Sequence, residues 1–136
     1  MRTTALIEKG KDGSYGVYTP DLNSLIIGSG ATVAEAIADF QNSMKEVQTA
    51  YEEAGEQLPK ELQDVEFDYR YDIASVFNFF DYLNVSRLAV RAGINASLLR
   101  QYKSGGTYIS EKQALKIENA LHSCGKELMS LSLIAR

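Results

Sequence analysis

Three aspartates could support metal-assisted hydrolysis, because paired carboxylates can hold the magnesium ion that activates a water molecule. They are Asp12, Asp21 and Asp39. Each also has a structural explanation: Asp12 precedes Gly13 in a turn, Asp21 follows Pro20 where a strand ends, and Asp39 lies off the apolar face of a helix. The structural explanation is the stronger one, and we therefore expect that the protein is not an enzyme.

Sulfur and imidazole chemistry has little material in this sequence. His122 is the one histidine and Cys124 the one cysteine, so they can form neither an internal disulfide nor a histidine–cysteine zinc cluster. No base or second thiol that would activate Cys124 is evident. The segment Gly28-Ser29-Gly30 lacks the Gly-Lys-Ser/Thr that follows in phosphate-binding loops, and we expect a turn there. We expect neither a metal nor another cofactor.

Charged side chains divide the chain into two parts of opposite sign. Residues 1–70 carry 6 Lys or Arg and 13 Asp or Glu, a net charge of −7, whereas residues 71–136 carry 8 and 5, a net charge of +3. This split suggests that the two parts bind different partners. The alternative is that each charge run is only a solvated surface.

The length and hydropathy of the chain limit its class. A chain of 136 residues makes one ordinary domain or two very small ones. No apolar run approaches the roughly 18 to 20 residues that span a bilayer. The first residues lack the apolar core of a secretory signal, so we expect a cytoplasmic protein without a membrane partner.

Residues 1–70 predict the element order βββαβ. Two β-prone runs at 3–8 and 14–19 flank Asp12-Gly13 as a hairpin, and a third strand is expected at 24–27.

Thr32 with Glu35 is a capping-box pattern that begins a helix, which ends near Gly55. An alternation of period 2 at 65–72 predicts the last strand. The apolar stripe of the helix predicts that it lies on the preceding strands, with a coiled-coil seam as the alternative; its members are Val33, Ile37, Phe40, Met44, Val47, Tyr51 and Ala54.

From residue 73 onward the apolar period changes to 3.6 and predicts helices. The first carries one apolar face from Ile73 to Leu83, and the next two begin at Asn84 and Asn95 and stop at Gly93 and at Gly105-Gly106. A further capping box, Ser110 with Gln113, begins a helix that breaks at Gly125. A fifth helix at 126–131 is possible, but 129–134 also alternates with period 2, so helix and strand both stay open there.

Two short helices joined by Gly93-Ile94-Asn95 are typical of helix-turn-helix DNA binding. The stretch Leu88-Ala89 to Gly93, followed by Leu99, Tyr102 and Gly105, closely resembles the Cro/phage-repressor family, and the resemblance covers residues 73–131. By position it implies that Ala96, Ser97, Arg100 and Gln101 face the major groove, with Asn95 and Lys103 near phosphates. Ala96 stands where many relatives have Gln, so one base contact is missing. The alternative is a helical bundle that only packs or dimerises.

The first part of the chain resembles the HicB antitoxin domain over residues 3–70. The resemblance is carried by Ile7-Glu8-Lys9, the run 12–18, Pro20-Asp21-Leu22, Gly30-Ala31-Thr32, Glu35-Ala36 and Leu58-Pro59. It implies a pared-down ribonuclease-H-like βββαβ fold that binds and masks a small HicA ribonuclease toxin. The usual Pro-Gly-Cys after Pro-Asp-Leu is replaced by Asn23-Ser24-Leu25, which bears on toxin pairing more than on the fold.

These observations together predict an α+β protein with a HicB-like toxin-binding domain at 1–70 and a helix-turn-helix DNA-binding domain at 71–136. The function they imply is that of an antitoxin in a type II HicA/HicB-like toxin–antitoxin system, which also represses its own operon. Its partners would be a HicA-like toxin, double-stranded operator DNA and a second copy of itself, as a homodimer or higher homo-oligomer. The alternative is a helix-turn-helix repressor whose βββαβ module senses a small ligand or another protein. Phe79 and Tyr82 fall outside the apolar helix face, which suggests a contact with the N-terminal module or with a second chain; the alternative is that they are ordinary scattered exposed aromatics.

Overall fold

The computed structural model describes residues 1–105 and 107–134, and in them the protein is a mixture of helix and sheet of the α+β kind. The elements in chain order are β1 (Arg2–Lys9), β2 (Tyr15–Tyr18), β3 (Ile27–Gly30), α1 (Val33–Glu53), β4 (Glu66–Tyr71), α2 (Ile73–Phe79), α3 (Val85–Ala92), α4 (Ala96–Lys103) and α5 (Glu111–Ser130), with a short 3₁₀ turn at Lys60–Leu62 before β4. The predicted βββαβ order of the first part is confirmed.

The four strands form one sheet in the order β3-β2-β1-β4. The hairpin predicted around Asp12-Gly13 is confirmed: β1 and β2 are antiparallel, Lys9 lies opposite Tyr15, and Gly13 adopts a φ of 88° in the turn. In contrast, β4 is parallel to β1. A parallel pair needs a crossover connection, and α1 supplies it.

Helix α1 packs on the sheet, as predicted. Thr32 caps it by accepting a hydrogen bond from the backbone N–H of Glu35, and Gly55 follows its end with a φ of 67°. Phe40 is fully buried, and its ring meets Phe67 of β4 edge-on with centroids 5.0 Å apart. Ala54, which was predicted to continue the apolar stripe, lies past the helix end and is exposed.

The prediction for the third strand was wrong by three residues. The strand covers Ile27–Gly30 instead of 24–27, so the expected Gly28-Ser29-Gly30 turn is itself the strand. Residues before it form a loop closed by Thr19, whose hydroxyl donates to the carbonyl of Ser24 and accepts from the N–H of Ile26. The glycines are required because a Cβ on Gly28 would lie 2.3 Å from the backbone nitrogen of Phe40. The close approach of α1 therefore places glycine in this strand.

The second part is a group of four helices around its own buried side chains. The members of this C-terminal core are Ile73, Phe77, Val85, Leu88, Ala89, Ile94, Leu99, Tyr102, Ile109, Ile117 and Ala120. Helix α2 is shorter than predicted and ends at Phe79, although Leu83 still packs against this core. Gly106, part of the predicted stop after α4, lies outside the described residues.

Helix α5 differs from its prediction at both ends. It continues through Gly125 to Ser130, so the predicted break and a separate fifth helix were wrong, and residues 131–134 form no strand. The capping box predicted for Ser110 with Gln113 was wrong: among the described residues, the Ser110 side chain makes no capping bond, and the buried Oε1 atom of Gln113 has no hydrogen-bond partner. The start of α5 is fixed instead by backbone pairing, because Ile109 forms an antiparallel bridge with Tyr71 at the edge of β4.

The two parts meet where β1 and β4 end. The N–H of Asp72 donates to the carbonyl of Ile7 at 2.8 Å, and the N–H of Lys9 donates to Ser75 Oγ at 2.8 Å. The Lys9 ammonium lies 4.8 Å from the ring centroid of Phe79, which settles one alternative: Phe79 contacts the N-terminal part. Tyr82, in contrast, is 77% exposed.

Candidate nucleic-acid interface

Helices α3 and α4 are held at their ends by short-range hydrogen bonds. Asn84 caps α3 by accepting from the N–H of Arg87 at 3.0 Å, and Gly93 ends the helix in the left-handed conformation. Asn95 caps α4, and its Oδ1 accepts from the N–H of Ser97 at 2.9 Å. Both caps and the three-residue turn are as predicted.

Helix α4 has a buried side and an exposed side. Leu99 is 0% and Tyr102 7% exposed, so both pack inward as predicted. Four of the six residues assigned to DNA lie on the exposed side: Ser97, Arg100, Gln101 and Lys103. The structure thus leaves these side chains accessible to a large ligand.

The other two assigned residues are placed differently. Ala96 is half-buried and packs against the C-terminal core, so little of it is accessible from outside. The side-chain oxygen of Asn95 is engaged in the cap of α4, which leaves its amide nitrogen as the group that could donate to a phosphate. The contacts assigned to all six residues remain predictions.

Arg100 makes two hydrogen bonds that sequence reasoning missed. Its Nη1 donates to Ser86 Oγ at 2.9 Å, across to the first turn of α3, and its Nη2 lies 3.5 Å from Ser97 Oγ on its own helix. The pairing with Ser86 depends on how α3 and α4 cross, and residues 14 positions apart give no periodic signal in a single sequence.

Positive charge remains uncompensated on this side of the molecule. Arg91 pairs with Glu127 at 2.8 Å, and this contact raises the pKa of the Arg91 guanidinium. In the part of the chain that the structure describes, Arg87, Arg100 and Lys103 form no ion pair. An anionic surface would therefore be attracted to the α3–α4 face.

Of the three aspartates considered for metal binding, two already accept hydrogen bonds from neighbouring protein groups. Asp12 accepts from the N–H and the hydroxyl of Ser14 at 3.0 and 2.6 Å, which lowers its pKa. Asp39 accepts from the N–H of Ser29 at the outer edge of β3. Among residues 1–105 and 107–134, no three His, Cys, Asp or Glu side chains are grouped as a metal ion would require.

An open groove of about 760 Å³ lies where β1 meets α2. Its lining includes Glu8, Lys11, Asp72, Asn78 and Phe79, so both parts of the chain contribute. Partial burial raises the pKa of Glu8, and the charge of Asp72 raises it further. No local pattern in the sequence predicts this groove, because it depends on how the two parts meet.

Comparisons with protein-family models, with curated proteins and with solved structures found no match to this chain. Within the described residues, no helix combines the length and the apolar character that crossing a membrane requires.

Proposed function

We propose that this protein is a HicB-like antitoxin: a βββαβ module of a pared-down ribonuclease-H-like kind that binds a small HicA-like ribonuclease toxin, and a helix-turn-helix module that binds operator DNA and represses its own operon. The observation that carries the proposal is the division of α4 into a buried side, with Leu99 and Tyr102, and an exposed basic side. Any surface helix has a buried and an exposed side, and what favours an anionic partner here is charge: in the described residues, Arg87, Arg100 and Lys103 of the α3–α4 face form no ion pair.

The arrangement of α3 and α4 supports the DNA-binding half of the proposal. In helix-turn-helix proteins the first helix and the turn hold the second helix so that its N-terminal, outward residues reach base edges in the major groove. Ser97 lies at that end of α4, and Arg100 and Gln101 follow one turn later on the same exposed side. Lys103 and Arg87 carry charge suited to the flanking phosphates.

The acidic surface of α1 supports the toxin-binding half. The helix exposes five carboxylates and one ammonium group; these are Glu35, Asp39, Lys45, Glu46, Glu52 and Glu53. A toxin that acts on RNA needs a basic surface, and an acidic helix is complementary to it. Complementary charge of this kind speeds encounter and excludes wrong partners.

Binding of the full chain to the DNA upstream of its own gene tests the DNA-binding half. We expect specific binding, and Arg100→Ala should cost ~1 to 3 kcal/mol on that site and much less on random duplex. Lys45→Ala on α1 is the matched control, because it also removes one positive charge but lies in the acidic part. Equal losses on both duplexes would reduce Arg100 to a phosphate contact.

Expression with the neighbouring open reading frame tests the toxin-binding half. A small basic neighbour that arrests growth alone, and that the full chain binds and neutralises, is the expected result. Arg100→Ala should leave neutralisation intact, since the toxin is expected on the acidic part. A neighbour that is neither toxic nor bound would contradict this half.

A repressor controlled by a small ligand is the second candidate, and the groove of about 760 Å³ is the observation that favours it. Such a ligand would contact both parts of the chain and could change how they sit together. Operator binding that responds to a metabolite extract, and loses that response in Asn78→Leu, would favour this candidate over the antitoxin.

A further inference from the structure

We infer that Ser86, on the first turn of α3, is a positioning residue that holds the Arg100 side chain in the orientation in which it hydrogen-bonds to a base. This inference rests on the proposed DNA-binding function of α4. Neither the helix-turn-helix resemblance nor the spacing of the residues assigns a role to Ser86.

The geometry gives the serine hydroxyls the role of acceptors. The Nη1 group of Arg100 donates to Ser86 Oγ at 2.9 Å, which is a normal hydrogen-bond length, whereas the 3.5 Å contact of Nη2 with Ser97 Oγ is at the limit. Ser86 is therefore the stronger of the two restraints. Because it lies on a different helix, it fixes the guanidinium relative to the turn rather than only along α4.

Arginine keeps enough donors for DNA after these contacts. A guanidinium has five N–H donors, so two hydrogen bonds to serines leave three. Reading guanine in the major groove needs two parallel donors to its O6 and N7 atoms. Arg100 can therefore contact Ser86 and a guanine at the same time, which a lysine with a single ammonium could not do with the same directionality.

The benefit of this restraint appears in specificity rather than in stability. Arg100 and Ser86 are both exposed, so water competes for their hydrogen bond in the free protein and the folded state gains little from it. A long side chain loses rotamer freedom when it binds a base, and prior restraint reduces that loss. A guanidinium can contact a phosphate from many positions, so the same restraint strengthens phosphate contacts less than base contacts.

The experiment measures the ratio of affinities of the full chain for its selected duplex and for random duplex. The selected duplex is the one that the wild-type chain enriches from a random library. We expect Ser86→Ala to lower the ratio by about threefold to tenfold, as for the loss of one hydrogen bond. Ser86→Thr, which keeps the hydroxyl, should retain most of it.

A double-mutant cycle separates positioning from a direct contact. In an Arg100→Ala background, Ser86→Ala should have no further effect on the ratio. Ser104→Ala is the matched control, because Ser104 is exposed at the end of α4 and its hydroxyl donates to the carbonyl of Gln101 in its own helix. Melting temperatures of all variants should agree within about 2 °C, since exposed substitutions have small effects on stability.

An unchanged ratio for Ser86→Ala would overturn this inference while leaving DNA binding in place. The same loss with and without Arg100 would also overturn it, because Ser86 would then act on DNA by itself. A wild-type chain that enriches no sequence would instead overturn the proposed function, and the inference with it.

Discussion

Glu8 is an ionisable residue whose surroundings disfavour its charged form. It lines the groove between β1 and α2 with Asp72 nearby, and partial burial together with the Asp72 charge raises its pKa. When the pKa of a carboxyl is raised by folding, its ionised form costs stability at neutral pH. That cost disappears as the pH falls through the folded-state pKa, because the folded protein then takes up the proton.

Glu8→Gln should therefore raise the free energy of unfolding at neutral pH. The gain should shrink as the pH is lowered and vanish below about pH 4, where the wild-type carboxyl is protonated in both the folded and the unfolded states. Urea denaturation of both proteins across this range measures it. Glu56→Gln, in an exposed loop, is the control. A gain that is independent of pH would contradict the electrostatic explanation.

At the scale of the elements, strand β3 and helix α1 lie so close together at Gly28 that no Cβ atom fits between them. A Cβ on Gly28 would lie 2.3 Å from the nitrogen and 2.6 Å from the Cα of Phe40, and these are backbone atoms that cannot rotate away. The helix would have to move off the sheet to accept even one methyl group. Close packing makes such overfilling costly.

Gly28→Ala should lower the free energy of unfolding by about 1 to 3 kcal/mol or prevent folding. Gly16→Ala is the matched control in the neighbouring strand, since its Cβ would meet nothing closer than the Glu8 side chain at 3.8 Å. Denaturant unfolding followed by circular dichroism compares the two. Equal stabilities would mean that α1 can shift without loss.

The same contact explains which parts of the fold the sequence could predict. Hairpin turns, caps and helix periods are local, and the predictions that used them are correct at Gly13, Thr32, Asn84 and Asn95, although the capping box predicted at Ser110 was wrong. Strand β3 was misplaced because its glycines are set by a helix that follows later in the chain. Local sequence patterns predict a turn at Gly28, whereas tertiary packing requires a glycine there within a strand.

Helix α5 and the candidate site show the same limit. Gly125 was predicted to break a helix, but a glycine inside a helix costs only about 1 kcal/mol, and beyond it the ion pair of Glu127 with Arg91 connects the last turn of α5 to α3. The inward packing of Leu99 and Tyr102 was predicted correctly, whereas the outward residues were assigned from the family resemblance, and one of them, Ala96, packs against the core instead. Ser86 could not be predicted, because its contact with Arg100 depends on the crossing of two helices.

At the scale of the whole molecule, the boundary between the two parts falls close to Asp72. The buried side chains form two clusters that meet at Tyr71, one around α1 and the sheet and one among α2 to α5. In the last residue pair between β1 and β4, Ile7 lies opposite Tyr71. The backbone N–H of Asp72 then donates a hydrogen bond to the carbonyl of Ile7. A cut at residue 70 would remove this end of the sheet, whereas a cut after Asp72 keeps it.

A fragment of residues 1–72 should therefore fold and neutralise the neighbouring toxin without binding DNA. It keeps the sheet, α1 and their buried cluster, and loses the contacts of Lys9 with Ser75 and Phe79. Circular dichroism checks folding, and co-purification with growth rescue checks neutralisation. A folded fragment that neither binds nor inhibits the toxin would leave the ligand-controlled repressor as the better account.

The charge of α1 should act mainly on how fast the toxin is captured. Glu46 is exposed on α1, and reversing it by Glu46→Lys removes attraction that operates before contact. We expect association at low salt to slow by about twofold to tenfold, with a weaker salt dependence and a nearly unchanged dissociation rate.

Asp81→Lys, which makes the same change of charge between α2 and α3, should have a smaller effect because that surface lies outside α1. If the two variants slow association equally, net charge rather than the surface of α1 steers the toxin. If Glu46→Lys raises the dissociation rate instead, Glu46 lies in the core of the interface rather than at its rim.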